Sequence, residues 1–185
     1  RIGGIVDGGA TGVGVESTVI QLVDGELYVL RPGGVTAEQL QSILPEIRIH
    51  VSEPAEVEAA DTPRAPGMKY THYAPKGYMH IVQGDDATAV AARIQSDIDA
   101  AKLRGESTGI LTFEERVGTY RADLVIACGS LAEPETIARE LYAALRTFDQ
   151  KEITYIVTEG VPASGIGSAI MNRLLKAAGH ERIRL

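Results

Sequence analysis

Thr154-Tyr155-Ile156-Val157, followed by Gly165-Ile166-Gly167-Ser168-Ala169-Ile170 at the head of a helix running from Ser168 to Ala178, decides the fold class. A short continuous apolar run reads as a strand buried on both faces, and the glycines after it turn the chain into an amphipathic helix. The same unit recurs upstream. Met79-His80-Ile81-Val82 precedes a helix from about Ala87 to Leu103, Gly109-Ile110-Leu111-Thr112-Phe113 and Leu124-Val125-Ile126-Ala127 are two further runs, and a helix from about Pro134 to Phe148 leads back to Thr154. Ile183-Arg184-Leu185 closes the series. Apolar strands alternating with helices imply a parallel sheet with helices on both faces, so residues 77 to 185 are expected to form a small doubly wound α/β domain.

Upstream of that domain the pattern changes. The stretch from Pro63 to Pro75 holds three prolines, which fix φ and bias their neighbours toward extended geometry, together with Tyr70, His72 and Tyr73. Its cations, Arg64, Lys69 and Lys76, follow the acidic stretch Glu53, Glu56, Glu58, Asp61. A stiff, locally cationic strap of this kind suits either a plain linker or a cover over an anionic small ligand. Earlier still, Val15-Glu16-Ser17-Thr18-Val19-Ile20-Gln21-Leu22 and Glu26-Leu27-Tyr28-Val29-Leu30 flank Asp24-Gly25, which predicts a β-hairpin ended by Arg31-Pro32-Gly33. Thr36, with Gln39 three residues on, predicts a capped helix whose apolar face is Leu40, Ile43 and Leu44. The chain opens at Arg1 in what reads as mid-domain sequence, so residues 1 to 50 are expected to be the tail of a larger unit.

Composition narrows the function classes. The 185 residues, 44% hydrophobic and 23% charged, are ordinary for a folded protein of one large or two small domains. No run reaches the ~18 apolar residues of a membrane helix, and the expectation is a cytoplasmic protein without a membrane partner. A net charge of −7 without a dense basic cluster argues against direct nucleic-acid binding. The single cysteine, Cys128, lies in an apolar run, where a buried, inert thiol is the expectation.

Two further motifs carry alternative readings. Gly165 to Ser168 follows a strand and opens a helix, the setting in which backbone N–H groups bind phosphate, but Ile170 stands where the dinucleotide fingerprint wants a small residue. The other reading is a tight turn onto a helix that packs Ile170, Leu174 and Leu175. Glu16-Ser17-Thr18 follows glycines at 8, 9, 12 and 14, which permit close approach of a ligand, although hydroxyls in strands also serve as ordinary β-formers. Arg31, held at a strand end, is either a surface arginine or a fork for phosphate or carboxylate.

Gly4-Ile5-Val6-Asp7-Gly8-Gly9, Gly14 to Ile20, Leu30-Arg31-Pro32-Gly33, Pro66 to Pro75 and Gly165 to Leu174 together resemble, in order and spacing, the two-domain threonylcarbamoyl-AMP synthases. The resemblance implies that residues 1–50 are the C-terminal portion of a YrdC-like catalytic domain, 51–76 a linker or lid, and 77–185 a Rossmann-like accessory domain. It also implies an enzyme that makes threonylcarbamoyl-AMP from L-threonine, bicarbonate or CO2, and ATP, with Mg2+. A separate threonylcarbamoyl transferase machinery then modifies adenosine-37 of tRNA. By matching motif positions, Ser17 contacts threonine, Arg31 contacts ATP, and Tyr70 lies over the nucleotide, with no residue acting as a protein nucleophile. The family linker commonly reads Lys-Tyr-Arg-His-Tyr, whereas Thr71 stands here in the arginine position. The family's Lys-x-Arg and Ser-x-Asn signatures, which bind ATP in the N-terminal part of the enzyme, have no counterpart in residues 1–50, so the chain is expected to be inactive alone. The competing class is a non-catalytic nucleotide-binding or interaction module built on Gly165 to Ser168.

Overall fold

The computed structural model describes residues 3–9, 11–51 and 73–185. Tyr70, and with it most of the proline-rich strap, lies outside the described residues.

The N-terminal segment forms a three-stranded sheet, ordered β1 (Val19–Val23), β2 (Glu26–Arg31), β3 (Ile49–Val51). β1 and β2 are the antiparallel hairpin that the Asp24-Gly25 dipeptide predicts, with Asp24 at φ 50° and Gly25 at φ 81°. Two successive positive φ values are what a primed two-residue turn requires to match strand twist. β3, which the sequence reading did not anticipate, runs parallel to β2. Between them α1 (Ala37–Ile43) carries the expected capping box, Thr36 accepting from the Gln39 amide while the Gln39 side chain accepts from the Thr36 amide. Its expected apolar face is not buried. Ile43 is 74% exposed, and among the described residues no part of the seven-residue helix is buried.

Residues 78 to 184 form the five-stranded, wholly parallel sheet anticipated from the recurring apolar runs. The strands are β4 (Tyr78–Gln83), β5 (Thr108–Thr112), β6 (Leu124–Ala127), β7 (Tyr155–Glu159) and β8 (Arg182–Arg184), in the spatial order β6-β5-β7-β4-β8. The connecting helices are α2 (Ala87–Leu103), α3 (Pro134–Gln150) and α4 (Gly167–Ala177). Alternate residues of each strand face opposite layers. Met79, Ile81, Leu111 and Ile156 pack with Ile137, Leu141, Leu145 and Phe148 of α3 and Ile170 and Leu174 of α4. Val82, Ile110 and Val157 pack on the other side with Val90, Ile94 and Ile98 of α2. Burial on both faces explains why these strands read as continuous apolar runs. Each fully buried side chain of this kind contributes roughly 1.5–3 kcal/mol.

The chain leaves β4 toward β5 by way of α2 on one face, and leaves β7 toward β8 by way of α4 on the other. The carboxyl ends of the adjacent strands β4 and β7 therefore form the switch point, where open α/β sheets place their crevices.

Candidate functional site

Arg31 ends β2 and Ser17 lies two residues before β1, and the structure brings them together at the hairpin's open end. The Arg31 guanidinium donates to the Ser17 carbonyl through Nε (3.1 Å) and Nη2 (2.9 Å), and Nη2 also lies 3.3 Å from Ser17 Oγ. Thr18 completes the fastening: its hydroxyl donates to the Val35 carbonyl (2.6 Å) and accepts from the Val35 amide (3.1 Å). Gly33 permits the approach, because a Cβ there would strike the backbone of Glu16, Ser17 and Thr18. The result is an exposed Ser17 hydroxyl beside a cation that donates forked hydrogen bonds, an arrangement suited to an anionic ligand bearing a polar group.

Residues absent from the sequence-level site hold this end in place. Arg173 of α4, 4% exposed, donates from Nε to Glu16 Oε2 (2.8 Å) and from Nη1 to the Pro32 carbonyl (2.8 Å). The Tyr142 hydroxyl of α3 donates to the same Glu16 oxygen at 2.8 Å. Burial alone would raise the Glu16 carboxyl, but the Arg173 charge and the surrounding donors outweigh it and hold the group below its ordinary value. Tyr142 moves upward for the corresponding reasons, burial first and then the carboxylate it donates to. Gly14, at φ 78°, lets the segment lie directly on α3, because a Cβ there would run into the Arg139 Cα and the Ala138 carbonyl. One sequence signal for Arg173 existed: it falls among Ile170, Leu174 and Ala177 on the buried face of α4, where a charge must have a partner.

A second polar group lies at the switch point. A cavity of about 800 Å³ there is lined by Gln83, Asp85, Arg116 and Glu159 of the sheet domain and by Pro32 and Glu38 of the N-terminal segment, among others. Glu159, 1% exposed, accepts from the Thr112 hydroxyl at 2.8 Å and is ion-paired with Arg116. Glu38 reaches the glycine turn, its Oε1 accepting from the Gly165 amide at 3.2 Å; its own backbone amide first, and then this contact, hold its carboxyl below the ordinary value. The turn that resembles a phosphate loop thus already receives a carboxylate of the same chain. Its other reading is realised, with Ile170, Leu174 and Leu175 all buried.

Cys128 is 1% exposed and burial pushes its thiol up to about 12, so it is no nucleophile at neutral pH. Among the described residues no group of three or more His, Cys, Asp or Glu side chains is arranged to hold a metal ion. No described helix is long and apolar enough to cross a membrane.

The family model described as "Threonylcarbamoyl-AMP synthase, C-terminal domain" matches residues 35–179. The chain is 47% identical over 184 residues to threonylcarbamoyl-AMP synthase of Bacillus subtilis (strain 168), covering 100% of this chain and 51% of that protein. It is 41% identical over 181 residues to the enzyme of the same name from Pyrococcus abyssi, covering 98% and 51%. Among solved structures, that of P. abyssi Sua5 complexed with L-threonine superposes with a TM-score of 0.84 at 41% identity, over 97% of this chain and 50% of that one. The chain spans about half the length of the curated relatives it matches.

Proposed function

The chain belongs to the threonylcarbamoyl-AMP synthase family, and from that premise we propose that the protein carrying it forms threonylcarbamoyl-AMP and pyrophosphate from L-threonine, bicarbonate or CO2, and ATP. The observation that carries this reading to particular residues is the forked contact of Arg31 with Ser17, on a chain that spans about half the length of its relatives. The L-threonine bound by the P. abyssi relative supports threonine as the amino acid.

In the proposed reaction the threonine amine nitrogen bonds to the carbon of CO2 and releases a proton to solvent, giving a carbamate. A carbamate oxygen attacks the α-phosphorus of ATP, and the bond from that phosphorus to the pyrophosphate oxygen breaks, its electron pair leaving with pyrophosphate. Such a step needs alignment of two anions and compensation of their charge more than it needs a protein nucleophile. Ser17 Oγ is assigned to threonine and the Arg31 guanidinium to the nucleotide phosphates or the threonylcarbamoyl group. Residues 1–50 act as the C-terminal portion of a YrdC-like catalytic unit, 51–76 as the linker, with Tyr70 assigned to the nucleotide, and 77–185 as the Rossmann-like accessory domain.

The described residues do not fit a resident magnesium: Glu16, the carboxylate adjacent to Ser17, is taken by Arg173 and Tyr142. Magnesium is assigned to ATP as part of that substrate. We place the reaction in the cytoplasm, with the product passed to the machinery that modifies tRNA and without direct tRNA binding by this chain.

The test is pyrophosphate release by the full-length protein, with threonylcarbamoyl-AMP identified by mass. Release that requires ATP, L-threonine and bicarbonate together supports the reading; a full-length protein that forms no threonylcarbamoyl-AMP refutes it.

A further inference from the structure

Arg173 belongs to the accessory domain, yet its contacts close a ring around the two residues assigned to substrates. From Arg173 Nε the ring passes to Glu16, along one peptide bond to Ser17, from the Ser17 carbonyl to the Arg31 guanidinium, along one peptide bond to Pro32, and from the Pro32 carbonyl back to Arg173 Nη1. Every non-covalent link is a hydrogen bond donated by a guanidinium, three of them at 2.8–2.9 Å. Arg173 is buried and therefore desolvated, so it is held where its fork is satisfied. Tyr142 fixes the same carboxylate from α3, and the Tyr73 ring packs on Tyr142 with centroids 4.0 Å apart.

We propose that Arg173, backed by Tyr142, is a positioning residue of the reaction: the accessory domain sets the mutual placement of Ser17 and Arg31 by gripping Glu16 and Pro32, each the immediate neighbour of one of them. Arg173 touches neither substrate. Its role rests on the assignment of Ser17 and Arg31 to substrates made above. The accessory domain is thereby tied to threonine and nucleotide use through two helices. Glu16 enters as the joint between the domains and not as an acid or base, since its oxygen Oε2 already accepts two hydrogen bonds.

The test uses the full-length protein, three single variants and one double variant. Arg173→Lys keeps the charge but has no fork to hold both acceptors. Tyr142→Phe removes only a hydroxyl and guards against a variant that fails to fold. Glu16→Gln weakens the acceptor. A purely structural role would lower the amount of active enzyme and leave KM alone. Positioning raises the threonine KM about ten-fold or more in Arg173→Lys, with a smaller rise in Tyr142→Phe. The Arg173→Lys, Glu16→Gln double variant should lose less than the two single losses combined, because both remove one shared contact. Native-state hydrogen exchange supplies the readout that does not depend on activity: the amides of residues 17–19 and 33–35 should exchange faster in Arg173→Lys. If the wild-type protein makes no threonylcarbamoyl-AMP, the functional assignment fails while exchange still judges the grip. Wild-type KM values together with unchanged exchange in Arg173→Lys and Tyr142→Phe would overturn the proposal.

Discussion

At the scale of single residues, the site depends on what a guanidinium does that an ammonium does not. Arg31 reaches one carbonyl with two nitrogens and the Ser17 hydroxyl with one of them, a planar fork that Lys cannot reproduce. Losing the charge-assisted contact assigned to Arg31 with the nucleotide costs roughly 1.5–3 kcal/mol, one to two decades in affinity. Steady-state kinetics of the full-length Arg31→Lys enzyme should therefore show kcat/KM for ATP reduced by that factor. Unchanged kinetics would remove Arg31 from the site. Arg173, by contrast, is not legible as a site residue in the sequence. Its partner Glu16 lies 157 residues away, and nothing local to α4 says which acceptor it meets. The warning was only that a charge occupied an apolar helix face.

At the scale of elements, local chemistry was readable and long-range pairing was not. Asp24-Gly25 marked the hairpin turn, the Thr36 and Gln39 pair marked the start of α1, and the period of the apolar residues gave α2, α3 and α4 nearly to their ends. By contrast β3, three residues long, owes its existence to pairing with β2 across α1. The order β6-β5-β7-β4-β8 likewise follows from which crossovers pack, which no single strand encodes. The exposed side of α1 shows the converse limit: helical spacing of Leu40, Ile43 and Leu44 predicts a face, but burial needs a neighbour to cover it. Packing in the sheet domain is close enough to be tested at one position. Phe148 of α3 is fully buried and its ring lies so near Gly109 that a Cβ there would come within 2.6 Å of it. Phe148→Ala should cost about 3–5 kcal/mol in urea unfolding. A loss below about 1 kcal/mol would show that α3 is not packed on β5 in this way.

At the scale of the whole molecule, two units of different architecture meet at a polar joint centred on Glu16. Because the Glu16 carboxyl is held below its ordinary 4.5, the unfolded chain takes up that proton first as pH falls. The joint's contribution is therefore fully present above pH 4.5 and is lost as pH drops through the depressed folded-state value. Thermal unfolding across this acid range should show a shallower decline in Glu16→Gln than in the wild type, together with lower stability at neutral pH. Identical acid limbs would mean that Glu16 is not the titrating joint. Arg173 and Tyr142 place this joint beside the residues assigned to threonine and ATP, so docking of the units and substrate use are expected to rise and fall together.

The most direct measurement is made on the full-length protein, incubated with ATP, L-threonine and bicarbonate and followed for pyrophosphate and for the adenylate product by mass. Threonylcarbamoyl-AMP should appear in equal amount with pyrophosphate and vanish when threonine or bicarbonate is left out. Pyrophosphate release indifferent to threonine, or none at all from folded full-length protein, would contradict the function proposed for this chain.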